Sequence, residues 1–282
     1  MAHAEPSFLK IQGKANTLKS PAIREASGLA CSATDLAFLW IINDSGGTNE
    51  VHLADTNGNS RGSVTITRAK NIDWEDLASF TLDGKPYLLI ADTGDNASRR
   101  TNYTFYIVRE PTLPAAGKSI SGEIPLAWET TFTLPEGTSA DIEAVAIDGK
   151  SENILFLTKR LEPAILYAIP LAAQKESPVA EKIAEVIIDA PVLPLVPYRS
   201  QPTAMDIAKD NSTAAVITYY GIFLFHRNDE ESWAEVFSKR PRSLPAHGLP
   251  QAESVAFSKD GKSLYGISEG VNSSIIIWQK TD

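Results

Sequence analysis

One pattern, repeated five times along 282 residues, constrains the fold of this chain more than any other feature. The copies read Glu25-Ala26-Ser27-Gly28-Leu29-Ala30, Asp73-Trp74-Glu75-Asp76-Leu77-Ala78, Asp141-Ile142-Glu143-Ala144-Val145-Ala146, Gln201-Pro202-Thr203-Ala204-Met205-Asp206 and Gln251-Ala252-Glu253-Ser254-Val255-Ala256. Each opens on an acid or an amide, carries Ser, Thr or Glu at its third position and an aliphatic residue or Met at its fifth. A buried-strand composition follows each copy, as in Phe38-Leu39-Trp40-Ile41-Ile42 or Ile154-Leu155-Phe156-Leu157, then a polar cluster, then another β-type run. Asn/Asp-Gly turns such as Asp83-Gly84 and Asp260-Gly261 punctuate the runs, and helical periodicity is scarce.

Intervals of roughly 50 to 70 residues between copies suit a propeller blade of four strands with its loops. The expectation is therefore an all-β fold, a five-bladed β-propeller forming one domain over residues 1–282, with blades starting near 25, 73, 141, 201 and 251. The fifth repeat supplies only three strands before Trp278, and an unclaimed segment from Phe8 to Gln12 precedes the first. That N-terminal strand is expected to complete the last blade and close the ring. An open β-sandwich, or two small β-domains, is the competing arrangement.

In a propeller the first strand of each blade lines the central axis, so the third positions form a ring at one mouth: Ser27, Glu75, Glu143, Thr203 and Glu253. Clustered carboxylates coexist by taking up protons or by binding a cation. Ca²⁺, which takes six to eight oxygens in loose geometry, is the expected ion; Zn²⁺ would want His or Cys. The competing role for these Glu residues is to accept hydrogen bonds from amides of adjacent blades. The second strands return to the same mouth and bring Asp44, Asp92 and Asp95 as candidate bases. They also bring Asn43, Arg100, Lys159, Arg160, Tyr220 and Glu269 as candidate ligand-binding groups. The opposite face, with its short hairpin turns, is expected to hold little.

Composition narrows the partners. Lys and Arg number 26 against 35 Asp and Glu, a formal charge of −9, the wrong sign for general nucleic-acid binding. No apolar run approaches the roughly 18 residues that span a bilayer, so no membrane insertion is expected. The single cysteine, Cys31, excludes an internal disulfide. His3, His52, His226 and His247 fall in no metal-ligand spacing, although His247 lies on the candidate face. No Gly-x-Ser-x-Gly, Walker or Gly-x-Gly-x-x-Gly motif is present. Ala2-His3-Ala4 has the small-x-small form found before a signal-peptidase cut, which suits a periplasmic or secreted protein; a cytoplasmic location fits equally.

The ring of Ser, Glu, Glu, Thr and Glu resembles that of the calcium-activated nucleotidases, the apyrases. This implies an axial Ca²⁺ held by Ser and Glu, with substrate phosphates met by Asp and Arg nearby. Thr203 departs conservatively from the Ser of that family, and its phosphate-binding residues do not transfer by motif, so its activity is not carried over. Asn43-Asp44-Ser45-Gly46, Asn71-x-Asp73-Trp74-Glu75-Asp76, Asp92-x-Gly94-Asp95-Asn96 with Arg100, Asp141-x-Glu143-Ala144 and Gln251-Ala252-Glu253 look more like a set of bacterial propeller proteins of uncharacterised function. That resemblance covers most of the chain and implies no reaction.

Two functions stay open. In one, the chain is a calcium-dependent hydrolase of phosphate or ester substrates, with Asp44, Asp92 or Asp95 as base and Arg100, Lys159 or Arg160 neutralising developing charge. In the other, Ca²⁺ only rigidifies the ring of a monomer whose face binds, without chemistry, a small-molecule or glycan ligand with oxygen donors, or a protein.

Overall fold

The computed structural model describes residues 7–10, 16–191 and 198–281. The expected signal remnant, His3, the end of the N-terminal segment at Ile11 and Gln12, and most of the Pro191–Pro197 loop lie outside them.

Two short strands, β1 (Ser7–Lys10) and β2 (Asn16–Thr17), precede the first repeat. The first blade is β3 (Ala26–Cys31), β4 (Phe38–Asn43), β5 (Glu50–Asp55) and β6 (Ser60–Thr67). The second is β7 (Trp74–Leu82), β8 (Lys85–Asp92), β9 (Tyr103–Arg109) and β10 (Glu123–Phe132). The third holds β11 (Ile142–Asp148), β12 (Asn153–Thr158), β13 (Ala164–Pro170) and β14 (Glu181–Val186). The fourth holds β15 (Pro202–Ile207), β16 (Thr213–Thr218), β17 (Ile222–His226), the short helix α1 (Trp233–Phe237) and a two-residue edge strand β18 (Arg242–Ser243). The last is β19 (Ala252–Phe257), β20 (Ser263–Ser268) and β21 (Ser274–Thr281). Each blade is an antiparallel meander, and the first two are joined at their outer edges by a parallel pairing of β6 with β10.

Beside β21 lies β1, antiparallel, with Phe8 opposite Lys280, so a strand from the start of the chain supplies the fourth strand of the last blade. Phe8 is buried against Phe257, with ring centroids 6.0 Å apart. The five inner strands pack in a closed ring, β3 to β7 to β11 to β15 to β19 and back to β3. Between each pair of neighbouring blades lies one apolar cluster, such as Trp40, Trp74 and Leu88 between the first two, or Met205, Phe223 and Leu157 between the third and fourth. This is an all-β propeller.

Inner strands approach so closely that a Cβ on Gly28 would lie 2.7 Å from the Leu77 nitrogen; only glycine fits. Amides facing the axis need acceptors. Asp76 supplies one, accepting from Val145 and Met205 at 2.7 and 3.2 Å and so tying three blades together. Asp206 does the same for Phe257 at 2.7 Å. The amide-capping role considered for the ring glutamates thus falls to these two aspartates. Trp233 opens α1 behind a capping box of Ser232 and Glu235.

Candidate functional site

Register breaks once at the start of every inner strand. Opposite Asn43, Asp92, Thr158, Thr218 and Ser268 stand Ala26, Trp74, Ile142, Pro202 and Ala252, and pairing resumes two residues later. The residues left over are Ser27, Glu75, Glu143, Thr203 and Glu253. A bulge at each site re-aims one side chain, and here it sets all five at the same mouth.

The ring is not symmetric. Ser27 Oγ donates to the Trp74 carbonyl at 2.7 Å and Thr203 Oγ1 to the Ala252 carbonyl at 2.6 Å, each latching its blade to the next. Glu253 accepts from Tyr219 Oη at 2.6 Å. The remaining carboxylates gather on one side. Asp44, Asp73 and Glu75 each bring an oxygen within 4.8 Å of the others, and so do Glu75, Asp141 and Glu143, so Glu75 is shared by both groups.

Loops after the second strands build this arrangement. Asn71 Nδ2 donates to the carbonyls of Asn43 and Asp44, at 3.2 and 3.0 Å, and carries Asp44 toward Asp73. Asn43 itself caps a turn, accepting from the backbone of Arg24 and Glu25. Asp92 is fully buried and accepts from the Asp73 backbone at 3.1 Å and from Arg100 Nη1 at 2.9 Å. Asp95 accepts from the backbone of Arg99 and Arg100, both at 2.8 Å, and its own N–H donates to Asp141 Oδ1 at 2.8 Å. Arg100 also donates to the carbonyls of Asp92 and Gly94. These three expected site residues therefore organise the loop that carries Gly94. Arg160 donates to Asp141 Oδ2 at 2.7 Å and to Asn96. Glu269 accepts from Gln251.

Lys159 enters the ring itself. Its ammonium is buried, ion-paired with Glu143 and 5.2 Å from the centre of the Tyr219 ring. Burial works against its charge, but Glu143 and Glu253 hold its pKa above the usual lysine range. Tyr220, named from the sequence, packs on the apolar core between the third and fourth blades instead; its neighbour Tyr219 faces the site. His247 is a buried structural residue, contacting the Thr218 carbonyl through Nε2 and accepting from Leu249 at Nδ1.

Sequence reasoning missed Asp73, Asp141, Gly94 and Tyr219. The first two were visible as the acid that opens their repeats, two residues ahead of the ring glutamate. Gly94 is needed for space: a Cβ there would overlap Glu75 Oε1 and lie 2.5 Å from the Asp73 carboxyl. None of the hydrogen bonds among the described residues ends on the Glu75 carboxylate. Burial, and then Glu143, Asp44, Asp73 and Asp141, push that carboxyl well above the usual range.

Burial and the adjacent Asp44 carboxylate raise Asp73 to about 7. Burial raises Glu253 to about 7 as well, with Lys159 and Tyr219 opposing. Both groups thus take up protons on folding between the ordinary carboxyl range near about 4 and the folded value. In chelator, stability is expected to fall as pH rises through that window and to level off above it. Calorimetric melting at about pH 5 and about pH 8 checks this; a midpoint that rises with pH contradicts it.

Together the closed ring of inner strands and the bulged acidic mouth define an all-β propeller with a carboxylate-lined site. No protein-family profile and no curated protein sequence matches the chain. Among solved structures it is similar to Kuenenia stuttgartiensis hydrazine synthase, at 13% identity and a TM-score of 0.47, over 89% of this chain and 70% of that one. It is also similar to the WD40 repeats of RRP9, at 10% identity and a TM-score of 0.49, over 98% of this chain and 100% of that one. No helix among the described residues is long and apolar enough to cross a membrane.

Proposed function

We propose that residues 1–282 form one five-bladed domain whose acidic mouth binds a single Ca²⁺, through which a small ligand rich in oxygen donors, a phosphate, carboxylate or glycan diol, is held. The observation that carries this reading is Glu75: a buried carboxylate that accepts no hydrogen bond among the described residues, flanked by Asp44, Asp73, Asp141 and Glu143, with Gly94 leaving the space clear. The residues fit a hard cation. They offer only oxygens, from loops and bulges of different blades, which suits the loose shell of Ca²⁺ better than the strict octahedron of Mg²⁺. Lys159 supplies one positive charge to the Glu143 and Glu253 side, leaving the Asp44, Asp73 and Glu75 side for the ion. The protein acts as a monomer, and a periplasmic or extracellular setting, rich in Ca²⁺, suits a site of moderate affinity.

Titration of the full chain with Ca²⁺ is expected to show one site, and saturation at 100 times Kd to add about 2.7 kcal/mol of stability. Chelation reverses the gain, and Glu75→Gln removes it. Absence of both heat and melting shift on adding Ca²⁺ overturns the reading. A hydrolase reading draws on the contact between Asp44 and Asp73, two acids one of which is poised near 7 for proton transfer. Chelator-sensitive turnover of phosphate or ester substrates, lost in Asp44→Asn, would favour it over binding alone.

A further inference from the structure

The inner strands end at a second mouth, where short turns such as Asp83-Gly84 led to the expectation of a face with little to hold a ligand. The structure has a cavity of about 200 Å³ there. All five inner strands wall it, through Cys31, Phe80, Ile147, Ile207 and Phe257. Next to Ile207 in the chain, Asp206 is half-buried and lines the same cavity. Its Oδ1 accepts from the Ile207 amide at 2.8 Å and its Oδ2 from the Phe257 amide at 2.7 Å, which fixes the plane of the carboxyl. No ion pair among the described residues includes Asp206. The result is a carboxyl without an ion-pair partner among the described residues, in a cavity that mixes the apolar edges of Phe80, Ile147 and Phe257 with hydroxyls such as those of Ser79 and Ser258, and burial raises it to about 7. Exposed Lys209, Lys259 and Glu152 also line the cavity.

We propose that this mouth is a binding site for a small organic ammonium ion, its nitrogen against Asp206 and its apolar body between Phe80, Ile147 and Phe257. An ionised carboxyl in an apolar enclosure is costly unless paired, and a bound ammonium supplies the missing charge where the dielectric is low. A neutral ligand leaves that cost in place, and an anion adds to it. Ca²⁺ is poorly served, because one carboxyl held by two amides falls far short of six to eight oxygens. With two lysines against one glutamate, Lys209 and Lys259 against Glu152, the charged groups around the cavity disfavour a second positive charge, so the ligand is a monoamine whose far end is neutral or acidic. The cavity volume limits it to a compact molecule and excludes a folded peptide or polymer.

Calorimetric titration of the full chain with cyclohexylamine tests this, with cyclohexanol and cyclohexanecarboxylate as probes of similar shape. The amine is expected to bind at least about tenfold more tightly than either. Asp206→Asn is expected to weaken the amine by about tenfold or more. Because Asp206 also holds two amides, Ser79→Trp, which fills the cavity from β7 and leaves Asp206 intact, is measured in parallel and is expected to abolish binding. Chelator is expected to leave amine binding unchanged, which separates this mouth from the acidic one. Equal binding of amine and alcohol, no heat from the amine, or full amine affinity in either folded variant overturns the proposal.

Discussion

Replacing Lys159 with Met is expected to lower the melting temperature in chelator by about 10 °C, and added Ca²⁺ is expected to recover much of the loss. The ammonium of Lys159 is the buried counter-charge of Glu143, and Glu253 and the Tyr219 ring lie within its reach. Removing one partner of such a pair strands the other, at a cost of about 3–5 kcal/mol. In a chain of this size about 1 kcal/mol corresponds to roughly 2–4 °C. Met preserves most of the stem's apolar packing, so the effect reports the charge. Without the ammonium, Glu143 is free to join Glu75 and Asp141 on an ion, and Ca²⁺ affinity is expected to rise. Calorimetric melting with and without Ca²⁺ measures both effects. An unchanged midpoint in chelator would show that Lys159 does not compensate the ring, and a loss that Ca²⁺ leaves untouched would separate the ring from the cation site.

Gly94→Ala is expected to weaken Ca²⁺ binding by about 100-fold, equivalent to about 2.7 kcal/mol. The added methyl would occupy the space between Glu75 and the Asp73 carboxyl, so the two oxygens can no longer converge on one ion. The backbone at Gly94 is not in the left-handed region that excludes side chains, so the loss arises from space at the site rather than from the turn. Gly149→Ala, whose Cβ would meet only Asn211 at 3.4 Å, serves as the control and is expected to bind Ca²⁺ normally. Titration calorimetry of both variants decides the point; normal affinity in Gly94→Ala would move the ion away from Glu75 and Asp73.

These two variants divide the acidic mouth into halves. On one side a covalently attached cation, Lys159, neutralises Glu143 and Glu253. On the other, no ion pair among the described residues reaches Asp44, Asp73 or Glu75. Arg100 and Arg160, which the sequence suggests as groups for neutralising substrate charge, are engaged with Asp92 and Asp141.

Much of this architecture is legible without coordinates, because the repeat carries it. Five copies of one strand signature imply five equivalent inner strands, the missing fourth strand of the last repeat points to the segment around Phe8, and the third position of each copy identifies Ser27, Glu75, Glu143, Thr203 and Glu253. These are properties of period and count, which survive translation from chain to fold. What tertiary structure alone decided is which side chains meet. Glu75 meets Asp44 from the first blade and Asp141 and Glu143 from the third, and alternation within one strand says nothing about such meetings between blades. Loops have no period, so the choice of Tyr219 over Tyr220, and the engagement of Asp92, Asp95 and Arg100 in holding Gly94, follow only from the path of the backbone. Contacts across the axis join residues as distant as Asp76 and Met205, 129 apart in sequence. Closing the ring brings those residues together, and the same closure places Lys159 among the carboxylates and Asp206 at the second mouth.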